Sequence, residues 1–118
     1  MGQPVAYFEI TSTAPEKIRE FYTALFGWTT TDDPSMEGYA MVDTGAGDDA
    51  IPGGISPSQE PGDTGVKIYV RVDDLEGDLA RAGDLGAATL LPPMELPGGY
   101  GRIAVVADPD GNPVGLWA

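Results

Sequence analysis

Residues 66–72 set the frame. Val66, Ile68, Val70 and Val72 alternate with Lys67, Tyr69 and Arg71, the two-residue period of a β-strand whose faces differ. Asp73-Asp74 can cap a following helix, in which Leu75, Leu79, Ala82 and Leu85 share one face and which Gly83 and Gly86 weaken and end. Three strands are predicted after it, over 88–91, 101–106 and 113–117, the last two joined by the turn Asp108-Pro109-Asp110-Gly111-Asn112. The first half runs in the same order. A strand over 5–10 leads to Pro15, well placed in a first helical turn, and then to Ile18, Phe21, Tyr22, Leu25 and Phe26 at helical spacing, closed by Gly27. Strand-like pieces follow around 28–31, 39–43 and 54–55.

This order predicts an α+β chain built from two strand–helix–three-strand modules: module one about 1–57, a Ser/Pro/Gly-rich linker about 56–65, and module two about 66–118. All 118 residues fit one domain. Helices lie on one face of the sheet; the other must meet solvent, a ligand or a second subunit. The stripe of Phe21, Leu25 and Phe26 is expected in the core.

Composition then removes whole classes of chemistry. The chain has no Cys and no His, so disulfides, thiolate metal sites, Cys nucleophiles, imidazole bases and His-bearing zinc sites are excluded. Nineteen acidic against six basic residues give a net charge of −13, which repels phosphate backbones and anionic membranes, so no nucleic-acid or membrane partner is expected. No apolar run approaches the ~18 residues of a membrane span, and residues 1–4 lack a signal-peptide pattern, so a cytoplasmic location is expected. Gly45-Ala46-Gly47-Asp48-Asp49-Ala50 fits a dinucleotide-loop pattern in form only, because Ile51-Pro52-Gly53-Gly54 cannot continue as a helix and two aspartates would face the pyrophosphate. It reads as a turn. Asp108–Asn112 lacks the Gly and final Glu of a calcium loop and reads the same way.

Phe8-Glu9-Ile10, the run from Phe21 to Trp28, Gly53-Gly54-Ile55, the run from Tyr69 to Leu75, and Asp108–Asn112 through Leu116-Trp117 together resemble the vicinal oxygen chelate superfamily of glyoxalases, bleomycin resistance proteins and extradiol dioxygenases. The resemblance spans almost the whole chain. It implies two βαβββ modules forming a curled mixed sheet around a cavity, helices on the outer face, usually in a homodimer. Many members hold a divalent ion with four side chains. Their positions correspond here to Tyr7, Gly53 or Gly54, Lys67 and Gly115, none an imidazole or carboxylate. Lys67, a donor only, would repel a cation. Neither a metal nor another cofactor is expected.

What remains is a set of pocket candidates: Tyr7, Glu9, Trp28, Tyr39, Lys67, Tyr69, Arg71, Met94, Tyr100, Arg102 and Trp117. Strand alternation suggests that Arg102 joins Lys67, Tyr69 and Arg71 on the open face. Aromatic walls around a few polar groups suit a small molecule. The three cations suggest an anionic or carbonyl-rich ligand, or else a network satisfied by Glu9, Glu95 or nearby Asp. Trp28 and Trp117 read as stacking platforms or as core and dimer contacts. The sequence therefore points to a metal-independent binder of a small aromatic or carbonyl-containing molecule, acting in antibiotic or metabolite sequestration. The alternative is a glyoxalase-like lyase or isomerase in which Glu9 and Lys67, with Tyr7, replace the metal. Loops at 32–37 and 92–99 would shape the cavity.

Overall fold

The computed structural model describes residues 2–60 and 62–118; Met1 and Pro61, which fall within the expected module and linker spans, lie outside the described residues. Among the described residues the chain runs β1 (Val5–Ser12), α1 (Pro15–Phe26), β2 (Thr29–Asp32), β3 (Ala40–Asp43), β4 (Gly53–Pro57), β5 (Gly65–Arg71), α2 (Leu75–Asp84), β6 (Ala88–Glu95), β7 (Arg102–Ala107) and β8 (Pro113–Trp117), an α+β fold. Two compact units result: Tyr7–Val66, and Lys67–Ala118 together with the described residues up to Ala6. The first residues thus join the second unit rather than the first. The Arg71 N–H donates to the Pro4 carbonyl at 2.9 Å, and the Gln3 amide donates to Asp78 at 2.9 Å.

In the unit Tyr7–Val66 the strand order is β2-β3-β4-β1, with β1 parallel to β4 and the other pairs antiparallel. Ile10, Ala40, Val42 and Ile55 form the core, and Phe8, Ile18, Tyr22 and Trp28 pack on it. Pro15 opens α1, and Gly27 ends it at φ 72°, its N–H on the Thr23 carbonyl. The expected core stripe on this helix is corrected. Ile18 and Tyr22 face the sheet, whereas Phe21, Leu25 and Phe26 are 54%, 58% and 55% exposed. The apolar stripe is wider than the surface beneath it, which Tyr22 and Trp28, stacked at 5.4 Å, already fill. Gly47–Asp49 is a short 3-10 turn, in line with the turn read there.

The other unit repeats the topology as β5-β8-β7-β6, with β5 parallel to β8 and the other pairs antiparallel. Its core is Val72, Leu75, Ala104, Val106 and Leu116, with Leu79 and Ala82 packed against it. Asp74 caps α2 by accepting from the Gly77 N–H at 3.0 Å. At 108–112, the Asp108 carboxylate accepts from the backbone N–H groups of Asp110 and Asn112, fixing the turn. Residues 92–95, expected in a loop, continue β6 instead. Pro92 and Pro93 lack the N–H of a regular ladder, and the strand absorbs them through register shifts between Thr89 and Met94, at the outer position of its unit's sheet.

Candidate functional site

In the unit Tyr7–Val66, β1 alternation sends Phe8 and Ile10 toward α1, and Tyr7 and Glu9 to the opposite face. Register places Gly54 beside both Glu9 and Met41. Tyr39, two residues before Met41, projects on the same side. Its hydroxyl lies 2.5 Å from the Tyr7 hydroxyl and donates to Glu9 Oε2 at 3.1 Å. Gly54 makes this possible. A Cβ there would collide with the Tyr39 hydroxyl end and lie 2.6 Å from the Tyr7 oxygen. Burial pushes the Tyr39 phenol far above its ordinary pKa, and the Glu9 charge and the bond to Tyr7 add to the rise, so it stays protonated.

Trp28 does not share that face. It packs with Phe8 at 5.6 Å, Tyr22 at 5.4 Å and Phe26 at 5.2 Å on the helix side, and is a core-side residue rather than a pocket wall. Its place just after Gly27 tucks the indole beneath the helix end.

In the unit containing Lys67–Ala118, Lys67, Tyr69 and Arg71 share one face of β5. Lys67 Nζ stands 5.7 Å from the Tyr69 ring centroid. The Arg71 guanidinium lies 4.6 Å over the Trp117 ring, its register partner on β8. Trp117 is held in turn by its indole N–H, which donates to the Tyr100 carbonyl at 2.7 Å. Ile103 pairs with both Trp117 and Met94, which extends the row to β6. Arg102, like Trp28, departs from the expected face. It has the parity of Ala104 and Val106, so it points to the helix side and pairs with Glu76 of α2. That pair explains why its guanidinium is held above, and the Glu76 carboxyl below, their usual pKa ranges. Glu76 and Met41 went unnoticed in the sequence; the alternation of Ala40-Met41-Val42 was the available signal for Met41.

The residues at the expected metal positions do not fit a divalent ion. Tyr7 offers a phenol, Lys67 an ammonium, and the space a side chain on Gly54 or Gly115 would occupy is taken by the Tyr39 hydroxyl end and the Tyr69 ring. Glu9 supplies one carboxylate, and among the described residues no group of three or more acidic side chains is placed to hold a metal. The set can instead hydrogen-bond, stack and hold a proton.

Two strand–helix–three-strand units in this sheet order define the glyoxalase/bleomycin resistance/dioxygenase architecture. A superfamily member of known structure from Vibrio splendidus superposes with a TM-score of 0.67 at 16% identity, over 98% of this chain and 97% of that one. More narrowly, the chain belongs to the glyoxalase-like domain family, whose family model matches residues 7–117. It is 30% identical over 133 residues to the anthracycline biosynthesis protein DnrV of Streptomyces peucetius, covering 98% of this chain and 46% of that protein. To CFP32 of Mycobacterium tuberculosis, provisionally named a glyoxylase, it is 26% identical over 115 residues, covering 94% and 44%. The chain spans less than half the length of these curated relatives.

Proposed function

We propose that this protein binds a small oxygenated aromatic molecule without a metal, and acts by sequestering an antibiotic or metabolite. The observation that carries this reading is the Tyr7–Tyr39–Glu9 hydrogen-bonded cluster, seated over Gly54, one of the two glycines that the resemblance aligns with a metal-ligand position. In the other unit the stacked Arg71–Trp117 pair is by itself an aromatic surface with a cation on it, suited to a planar ligand bearing oxygens. The likeness to a protein of anthracycline biosynthesis supports the same ligand chemistry, since an anthracycline carries a hydroxylated quinone ring system.

The protein works in the cytoplasm as a homodimer on this reading. Phe21, Leu25 and Phe26 on α1 leave an apolar surface suited to a second copy. Among the described residues no helix is long and apolar enough to cross a membrane.

Fluorescence titration with a panel of quinones and aromatic antibiotics tests the binding. Saturable quenching should persist in Trp28→Phe, whose indole lies on the helix side, and disappear in Trp117→Phe. No saturable response to any compound would overturn the reading.

One observation favours a second, enzymatic reading. The hydroxyl chain that ends on Glu9 is a path for a proton, so Glu9 and Tyr7 would serve isomerisation or lyase chemistry beside a carbonyl. Turnover that survives a chelator and is lost in Glu9→Gln would select it.

A further inference from the structure

Charge is spread unevenly over the sheet of the unit containing Lys67–Ala118. The face of β5 that carries Tyr69 and Arg71 continues by register through Gly115 and Trp117 on β8 to Ile103 and Met94. Glu95 is the one acidic residue in the four strands, and its register with Arg102 puts it on the helix side. A chain with nineteen acidic side chains thus places none at the strand positions of this face. Arg71 is exposed there and stays without a carboxylate. Arg19 pairs with Asp32 and Arg102 with Glu76, but among the described residues no acidic group lies within ion-pair distance of Arg71. Arg81 also lacks one, yet it stands in the last turn of α2, where a cation offsets the helix dipole.

The Trp117 ring attracts the Arg71 charge from 4.6 Å but offers no oxygen to the five N–H donors of the guanidinium. Both partners are held in place. The Arg71 backbone N–H donates to the Pro4 carbonyl at 2.9 Å, and the Trp117 indole N–H donates to the Tyr100 carbonyl at 2.7 Å. A Cβ on Gly101 would lie 3.2 Å from Trp117 Nε1 and 2.4 Å from the Ala118 carbonyl oxygen, so the missing side chain lets the backbone close on the indole. A guanidinium already seated on a ring loses less freedom when it binds. We infer that Arg71 is the subsite for a carboxylate, whose two oxygens match the guanidinium fork, and that the ligand is an aromatic acid. This names the ligand class for the binding reading above and rests on it. The net charge of −13 opposes an anion at long range, but salt screens that field beyond about 10 Å.

The test is isothermal titration of the full chain, at neutral pH and about 0.15 M salt, with anthraquinone-2-carboxylate and anthraquinone-2-carboxamide, which share shape and differ in charge. 2-Hydroxyanthraquinone serves as a reference without a carboxylate. The wild type should bind the carboxylate roughly tenfold more tightly than the carboxamide, the gain of charge-assisted over neutral hydrogen bonds. Arg71→Gln should bring the two affinities together. Arg71→Lys should keep only part of the preference, because an ammonium has the charge without the fork. Equal wild-type affinities, a preference that survives Arg71→Gln, or binding of 2-hydroxyanthraquinone alone would overturn the inference and leave the binding reading intact. Binding of none of the three compounds would overturn both.

Discussion

The ring of Tyr69 occupies the space that a side chain on Gly115 would need. The two are register partners on β5 and β8, and a Cβ on Gly115 would lie 2.7 Å from Tyr69 Cγ, at the root of the ring where rotation cannot relieve it. The same relation recurs in the other unit between Gly54 and Tyr39. In both places a missing side chain is exchanged for a buried tyrosine, and the resemblance aligns Gly115, and either Gly53 or Gly54, with metal-ligand positions.

Gly115→Ala should therefore destabilise the protein by about 1–3 kcal/mol, the usual range for forcing a methyl group into a packed interior. Chemical denaturation measures it. In the double variant Gly115→Ala/Tyr69→Ala the two effects should be strongly non-additive, since removing the ring removes the clash.

Gly54→Ala should separate the Tyr39 and Tyr7 hydroxyls and release Tyr39 from Glu9. The variant should lose stability by a similar ~1–3 kcal/mol and weaken quinone binding as well. Denaturation and titration on the same sample test both parts.

Tyr39 makes stability depend on alkaline pH. Its folded-state pKa is raised, so the stabilisation is present below the unfolded value of about 10 and is lost as pH climbs beyond it. Spectrophotometric titration of the wild type against Tyr39→Phe should show that the Tyr39 phenol fails to ionise until the chain unfolds. Tyr39→Phe should flatten the alkaline fall in stability. An unchanged slope would contradict the assignment.

On α1 the expectation is a split between folding and association. Phe21→Ser with Leu25→Ser should change the stability of the single chain by no more than roughly 0.5 kcal/mol, because both side chains are mostly exposed. The double substitution should shift a dimer toward monomer in light scattering coupled to gel filtration. Tyr22→Ala, by contrast, should cost up to about 3 kcal/mol, the lower end of the range for truncating a large aromatic, because Tyr22 is only partly buried.

The repeated element order was legible because alternation and capping are local: Val70 and Val72 against Tyr69 and Arg71, Asp74 before α2, Pro15 and Gly27 around α1. Residues 92–95 were not, because two prolines argue against a strand unless a bulge absorbs them. The helix stripe misled for a different reason. Spacing shows that Phe21, Leu25 and Phe26 lie near one side of α1, not how much sheet lies under them. Arg102 was misplaced by one residue of parity, which only the pairing of β7 with β8 fixes. Trp28 carries no alternation of its own, so its side depended on the turn at Gly27. Tyr7, Glu9 and Tyr39 could be named as candidates from sequence, but their contact depends on the parallel pairing of β1 with β4 and on Gly54, which no local pattern encodes.

The most direct measurement is the affinity of the purified chain for 2-hydroxyanthraquinone in excess EDTA, and again with added nickel, zinc or manganese. The account predicts saturable binding whose dissociation constant is the same in every condition. Binding that appears only when a divalent metal is supplied, or no binding at all, would contradict it.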